Sequence, residues 1–224
     1  MLCTVKQTGD DCPTLKIGVV LLAAGEGSRL GCIPKSLIQL QGQSLIHRHL
    51  QTLHAVGIDD IVVVTGYYFE AIEAALVGQT VKIVRNSTPE AGQQLSVRLG
   101  LTALSKDCDL ILVMLADQPL LNRDDVLELI SAYKHRPTNK LVVLPEVHSQ
   151  RGNPVCFSAD LIYSMLASPE KISFRNYIDQ NSNSVHKHLT TNDHFVIDLD
   201  TPEDVIQLEK RTGLQLVLPS NTPA

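Results

Sequence analysis

The sequence predicts an α/β protein built on a mostly parallel sheet, and three observations carry that expectation. Four short runs rich in Val, Ile and Leu, at 17–23, 61–65, 81–85 and 110–115, lack polar alternation. Continuous apolarity of that kind suits strands covered on both faces. Between the runs lie stretches with apolar residues at helical spacing. Strand and helix signals alternate, the order in which helical crossovers connect parallel neighbours.

Each element has its own warrant. Residues 17–23 run straight into a loop of small residues. Ser44 can cap a helix that carries Ile46, Leu50 and Leu53 on one face and stops at Gly57. Strand 61–65 leads into a helix over 69–77, and strand 81–85 into one over 94–104. After strand 110–115, Asn122 can cap a helix with Asp124 and Asp125 in its first turn, where carboxylates oppose the positive end of the helix dipole. Val126, Leu129, Ile130 and Tyr133 form its apolar stripe. Past a short run at 141–144 the texture changes. A loop over 145–154, a strand at 155–157, helices over 159–166 and 174–178, weaker strands at 185–189 and 194–197, and a last helix over 202–211 are expected. No repeat, low-complexity tract or linker interrupts the chain, so a single domain over 1–224 is expected, with its core over about 16–214 and frayed ends in the first dozen residues and 219–224.

Composition excludes several classes. The 224 residues carry a formal net charge of -5, from 19 basic and 24 acidic side chains. A sequence-independent nucleic-acid binder concentrates basic groups on one surface, so no nucleic-acid partner is expected. No apolar run approaches the roughly 20 residues that cross a bilayer. Residues 1–16 are mostly polar and lack the apolar core of a secretory signal. Cysteines stand at 3, 12, 32, 108 and 156, an odd number without a CxxC pair or zinc spacing, and a reducing cytoplasm is the expected compartment. Cys108 and Cys156 read as small buried thiols. Cys32 has no His or Asp spaced locally to activate it. The eight histidines read as solvated. His47 and His49 point different ways on a helix, and His186 and His188 share a strand face without an evident third ligand.

The stretch richest in chemistry is Leu22-Ala23-Ala24-Gly25-Glu26-Gly27-Ser28-Arg29-Leu30-Gly31, followed by Pro34-Lys35. Small residues after an apolar strand let backbone N–H groups approach a phosphate closely. Arg29 and Lys35 supply two cations to neutralise it. A dinucleotide fingerprint needs GxGxxG opening a helix and an acid about 20 residues on. Here the third glycine is one place late, Pro34 interrupts any helix, and no acid ends the next strand. GxxxxGK[ST] is absent too. A plain glycine-rich turn is the alternative, against which the paired cations and Pro34-Lys35 weigh.

Two acidic motifs complete the pattern. Asp117-Gln118-Pro119 ends strand 110–115, where open α/β sheets bind ligands, although Asp and Pro also suit a simple turn. In Asp198-Leu199-Asp200-Thr201-Pro202-Glu203-Asp204, Thr201 can cap a helix that starts at Pro202 and Asp204 can close the capping box. That leaves Asp198 and Asp200, whose alternation on a strand would put both carboxylates on one face. Mg²⁺ typically takes one or two protein carboxylates and completes its shell with water and phosphate oxygens.

Taken in order from Leu22 to Val205, these motifs resemble the nucleotidyltransferases that move NMP from an NTP, the MobA-like superfamily with its three-layer, Rossmann-like GT-A-type fold. The resemblance implies a loop wrapped around a triphosphate. Leu22, Ala23 and Ala24 then lie near the base, Gly25, Gly27 and Ser28 belong to the wrapping loop, and Arg29 and Lys35 stand on the phosphates. It makes Asp117 catalytic and a Mg²⁺ ligand, with Asp200 as second ligand and Asp198 behind it. The loop over 86–96 resembles a family segment contacting base and ribose, which implies nucleotide-binding roles for Gly92, Gln94 and Ser96. Arg151-Gly152-Asn153-Pro154-Val155 resembles the RG-x-P-V element beside the acceptor. Members accepting molybdopterin often carry His where this chain has Asn153. Within the molybdenum cofactor branch, LAAG marks cytidylyl enzymes and LAGG guanylyl ones, so LAAG implies CTP. The implied reaction moves CMP from CTP to a phosphate-bearing small molecule, molybdenum cofactor first and a sugar or polyol phosphate second. A partner enzyme would receive the product. A non-catalytic nucleotide-binding protein of the same fold is a different class, and the intact Lys35, Asp117 and Asp200 argue against it.

Overall fold

Strand β1 (Ile17–Ala23) contains no side chain that needs water, and six of its seven residues are buried. It lies inside the sheet for that reason. The computed structural model describes residues 15–168 and 173–219. After β1 come β2 (Gln39–Leu40), β3 (Gln43–Ser44), α1 (Leu45–Val56), β4 (Asp60–Thr65), α2 (Phe69–Ala75), β5 (Lys82–Arg85), α3 (Gln93–Ala103) and β6 (Leu110–Leu115). The second half adds α4 (Arg123–His135), β7 (Val142–Val147), β8 (Gln150–Arg151), β9 (Val155–Ser158), α5 (Ala159–Ala167), α6 (Phe174–Gln180), β10 (Val185–Leu189), α7 (Pro202–Thr212) and β11 (Leu216–Val217).

The main sheet has the order β10-β7-β9-β6-β1-β4-β5, with β8 hairpinned onto β7. Pairing is parallel for β1 with β4 and β6, for β4 with β5 and for β10 with β7. Strand β9 runs antiparallel to both of its neighbours. Register decides where chemistry can gather. Ala23 faces Thr65, Leu22 faces Leu115, and Thr65 faces Arg85. The carboxyl ends of β1, β4, β5 and β6 therefore finish at one edge, and the loops that follow them all open there.

Helices cover both faces, because successive residues of β1 point to opposite sides. Leu21 and Leu112 pack with Ile46, Leu50 and Leu53 of α1 and Leu129 of α4. Val20 and Ile111 pack with Val97 and Leu101 of α3 and Leu161 of α5. Helix α3 lies close to the sheet at Gly100, where a Cβ would stand 2.4 Å from Val20 Cγ1 and 2.8 Å from Val64 Cγ2. A third apolar cluster joins Leu30 and Ile33, from the loop after β1, to Leu199, Val205 and Leu208 near the far end of the chain.

Most expected elements stand where the sequence puts them, and the differences have physical reasons. Residues 145–154 are not a loop: β7 continues through Val147 and returns as β8, with His148 and Ser149 taking left-handed turn conformations. No strand forms at 194–197. His194 and Phe195 belong instead to a short 3₁₀ turn, Asp193–Phe195, which ends at Val196, and Phe195 is a fully buried plug. Residues 198–200 are likewise not a strand, so alternation is not what orients the two carboxylates. Strands β2, β3 and β11 make a separate three-stranded sheet from elements two residues long, too short to leave a pattern. His49 is buried rather than solvated. Ser44 precedes α1 as expected, but its Oγ pairs with His47 Nδ1 at 2.6 Å instead of a backbone amide. The expectation of frayed ends falls mostly on 1–14 and 220–224, outside the described residues. Among the described residues no helix is long and apolar enough to cross a membrane.

Candidate active site

The loop after β1 is shaped by its glycines before it is shaped by any ligand. Gly27 adopts φ +64, and a Cβ there would fall 2.4 Å from the Ile33 carbonyl oxygen. Its own carbonyl accepts the Leu30 and Cys32 amides, each at 3.0 Å, which folds 27–32 into a tight turn. Leu30 of this turn and Ile33 directly after it anchor the loop in the third apolar cluster. Arg29 and Lys35 are thereby presented to the edge where the parallel strands end.

Lys35 is the hub of the site. Its ammonium donates to Asp117 Oδ2 at 2.5 Å and to Asp200 Oδ1 at 2.6 Å. Arg29 donates to Asp200 Oδ2 at 2.5 Å. Backbone bonds bring these distant residues together. The Leu199 amide donates to the Asp117 carbonyl at 3.1 Å, laying 198–200 beside the end of β6. Asp204 accepts the Asp200 and Thr201 amides at 3.0 and 2.7 Å, so the capping box of α7 also holds Asp200 in place. Buried Gln118 donates to the Asn153 and Phe195 carbonyls at 3.2 and 3.0 Å, tying this corner to the segment before β9.

Electrostatics follow from that crowding. Burial pulls the Lys35 pKa down, but the charge and hydrogen bond of Asp117, and then those of Asp200, outweigh it and hold the ammonium above its ordinary value. For Asp200 burial again opposes ionisation, and Lys35 and Arg29 together keep its carboxyl below the usual range. For Asp198 the balance goes the other way: burial first, then the Asp117 and Asp200 charges, push its carboxyl up against the opposing charge of Lys35.

These groups line a cleft of about 650 Å³. Of the residues singled out in the sequence, Leu22, Ala24, Gly25, Arg29, Lys35, Ser96, Asp117, Asp198 and Asp200 face it. Ser96 is buried within α3 rather than capping it, and its Oγ accepts from Asn86 Nδ2 at 2.9 Å. Ala23 lines a small recess beside Lys35 and Asp117. Gln94 turns instead into an adjoining cavity of about 370 Å³, together with Arg151, Gly152 and Asn153. Arg151 is ion-paired with Asp179. Pro154, Gly27, Ser28 and Gly92 line neither space, Gly92 being the residue that precedes α3. The sequence reading missed Glu26, Tyr67, Glu90, Gln93 and Arg175, which also face the cleft. Tyr67 and Glu90 come from the loops after β4 and β5, so strand polarity could have pointed to them. Nothing local could have found Arg175, which arrives from α6.

The carboxylates suit a hard divalent cation in chemistry, if not in present grouping. Among the described residues no three His, Cys, Asp or Glu side chains are gathered to hold a metal ion. The ammonium of Lys35 stands between Asp117 and Asp200. Yet the donors facing the cleft are all oxygen, and Asp117 Oδ1 is buried without a hydrogen-bond partner among the described residues. An uncommitted buried carboxylate oxygen is what an oxygen-seeking cation needs.

Comparison with known proteins places this geometry. Residues 19–185 match the family described as the MobA-like NTP transferase domain. A bifunctional protein GlmU of Francisella philomiragia subsp. philomiragia is 34% identical over 119 residues, 53% of this chain and 26% of that protein. A nicotine blue oxidoreductase of Paenarthrobacter nicotinovorans is 36% identical over 118 residues, 53% of this chain and 56% of that protein. The chain thus spans about a quarter of the first relative's length and just over half of the second's. Among solved structures, a 4-diphosphocytidyl-2C-methyl-D-erythritol synthase of Anaerococcus prevotii superposes with TM-score 0.68 at 20% identity, covering 89% of this chain and 99% of that one. Rv0371c of Mycobacterium tuberculosis, solved as a manganese complex, superposes with TM-score 0.67 at 19% identity, covering 87% and 98%. Both show the same fold.

Proposed function

The chain belongs to the MobA-like NTP transferase family, and from that premise we propose that it transfers CMP from CTP to a phosphate-bearing acceptor, with molybdenum cofactor as the first candidate. The observation that carries the reading is Lys35 held between Asp117 and Asp200 at the carboxyl edge of the sheet, with Arg29 on the second carboxylate. Partly burying so many charges is costly and serves no packing purpose, whereas it pre-sets cations and carboxylates for a polyanion.

In the proposed reaction an oxygen of the acceptor's phosphate attacks the α-phosphorus of the nucleotide. A new P–O bond forms as the bond to the bridging oxygen breaks, and pyrophosphate leaves with that electron pair. The attacking phosphate is already ionised, so no proton needs to move. Positioning and charge neutralisation dominate such transfers. Lys35 and Arg29 supply fixed positive charge, and the loop from Gly25 to Ser28 brings backbone amides near the phosphates. Asp117 and Asp200, with Asp198 beside them, would hold Mg²⁺, which when bound neutralises the triphosphate and polarises its oxygens. Five carboxylates line the cleft against three cations, so a triphosphate needs added positive charge to enter. Leu22, Ala23, Ala24, Gly92 and Ser96 are assigned to the nucleotide and Arg151 to Pro154 to the acceptor, whereas Gln94, expected at the nucleotide, lines the cavity on the acceptor's side. A single domain, a cytoplasmic location and a partner enzyme that receives the product belong to the same proposal.

The name of the second relative raises a dinucleotide alternative. The loop argues against it: after β1 the chain enters two 3₁₀ turns, and its first helix begins only at Leu45. A pyrophosphate-binding fingerprint puts a helix N-terminus directly after the strand. A sugar or polyol phosphate is the second acceptor reading. The test is thermal stabilisation by CTP, GTP, ATP and UTP, each with and without Mg²⁺. A Mg²⁺-dependent shift largest with CTP is expected. A GTP preference would overturn the choice of base, and a shift with NADH but with no triphosphate would overturn nucleotidyl transfer.

A further inference from the structure

Next to the cleft lies the cavity of about 370 Å³, and its walls differ in kind from the cleft's. Val97, Val113, Leu144, Val155, Phe157 and Ile178 supply an apolar lining that no nucleotide phosphate would use. The two spaces share Leu22, Gln93, Leu115 and Arg175, so they meet along these residues. Arg175 is the one charged side chain at that junction. The cavity's other guanidinium, Arg151, is committed to Asp179, whereas Arg175 has no hydrogen bond or ion pair among the described residues. Its place is fixed from the side: the preceding Phe174 packs edge-on against Phe157, ring centroids 5.5 Å apart, which pins α6 to the cavity wall.

We propose that Arg175 receives the acceptor's phosphate where the two spaces meet, and that the apolar cavity seats an acceptor body that is flat and largely apolar, such as an aromatic or heterocyclic ring. This rests on the nucleotidyltransferase reading and adds a residue and an acceptor class to it. The argument is one of chemistry and place. A nucleophilic phosphate must lie next to the nucleotide's α-phosphate, so its own charge has to be met at the junction. A free guanidinium offers a planar fork suited to phosphate oxygens. The rest of the acceptor then extends away from the nucleotide into apolar walls, which reward rings and penalise an unpartnered polyol.

The test uses phenyl phosphate and glycerol 3-phosphate as probes, added to the full chain with CTP and Mg²⁺ present, and reads thermal stabilisation. Phenyl phosphate is expected to add a saturable shift that glycerol 3-phosphate does not. Arg175→Ala should weaken the phenyl phosphate response at least tenfold in concentration, Arg175→Lys should restore part of it, and the shift caused by CTP and Mg²⁺ should persist in both. Narrowing the cavity with Ile178→Trp should weaken phenyl phosphate in the same way. Equal response to both probes, or an undiminished phenyl phosphate response in Arg175→Ala, would overturn the proposal while leaving the nucleotide reading intact. If wild-type protein responds to no nucleotide, the parent reading fails and this one fails with it.

Discussion

At the scale of single residues, Lys35 shows how one side chain can serve a site and the fold together. Its ammonium satisfies two carboxylates that would otherwise face each other across the end of β6. Lys35→Met removes the charge while keeping most of the side-chain bulk. The expected outcome is a fall in transfer, read as pyrophosphate release, of about 10²–10³-fold, the usual size for losing one preorganised charge-stabilising donor. The melting temperature should fall as well, because Asp117 and Asp200 lose their shared counter-ion. A variant with unchanged turnover would remove Lys35 from the proposed machinery. Asp117 and Lys35 both stood out in the sequence, since a carboxylate closing an apolar strand and a Pro-Lys pair after a glycine loop are local signals. Arg175 did not, because a lone Arg on a short helix carries no pattern until the fold brings it to the cleft.

Within an element, composition can hide what packing makes of it. Helix α1 was legible from its apolar spacing and from Gly57 at its end, yet His49 lies on the buried face, and neither ring nitrogen has a hydrogen-bond partner among the described residues. Burial, and then the Arg48 charge, lower its pKa from 6.5 to about 4. The sign of the effect on stability follows directly. Between pH 6.5 and about 4 the unfolded chain takes up a proton at this position that the folded chain refuses, so stability falls as the pH drops through that window. The full cost is on the order of 3 kcal/mol at a site with no partner for the charge. His49→Met, which fills a similar space without polar atoms, should raise the melting temperature at neutral pH by relieving two unsatisfied nitrogens, worth about 1–3 kcal/mol. It should also flatten the dependence of melting temperature on pH from 6.5 down to 4. Melting curves across that range check both, and an unchanged slope would assign the acid sensitivity to other groups.

For the whole molecule, the decisive feature is that two segments far apart in sequence are clamped together by apolar contacts. Leu199 is fully buried in the cluster that holds Leu30 and Ile33 of the glycine loop, and its neighbours on either side are Asp198 and Asp200. Leu199→Ala should cost about 2–5 kcal/mol in stability, as a core truncation does. It should also weaken Mg²⁺-dependent nucleotide binding, though Leu199 does not itself line the cleft. Unfolding curves and nucleotide titrations on the same protein separate the two effects, and intact nucleotide affinity would mean that the clamp has no part in the site. Local rules were enough for much of this protein. Continuous apolar runs marked the strands of the parallel core, Asn122 and Thr201 marked helix starts through capping boxes that both form, and strand polarity implied an edge where loops would gather. These signals are legible because they depend on neighbours within a turn or two of the chain. What remained hidden depends on partners remote in sequence. The two-residue strands exist only as a set of three, Phe195 reads as strand until the core claims it, and Asp198 and Asp200 are oriented by the Leu199 amide on Asp117 rather than by strand alternation. The chain by itself therefore determined its class of fold and which residues had chemistry to offer. Only the tertiary structure decided which of them meet, because side-chain contacts between distant segments are set by the packing of the whole core.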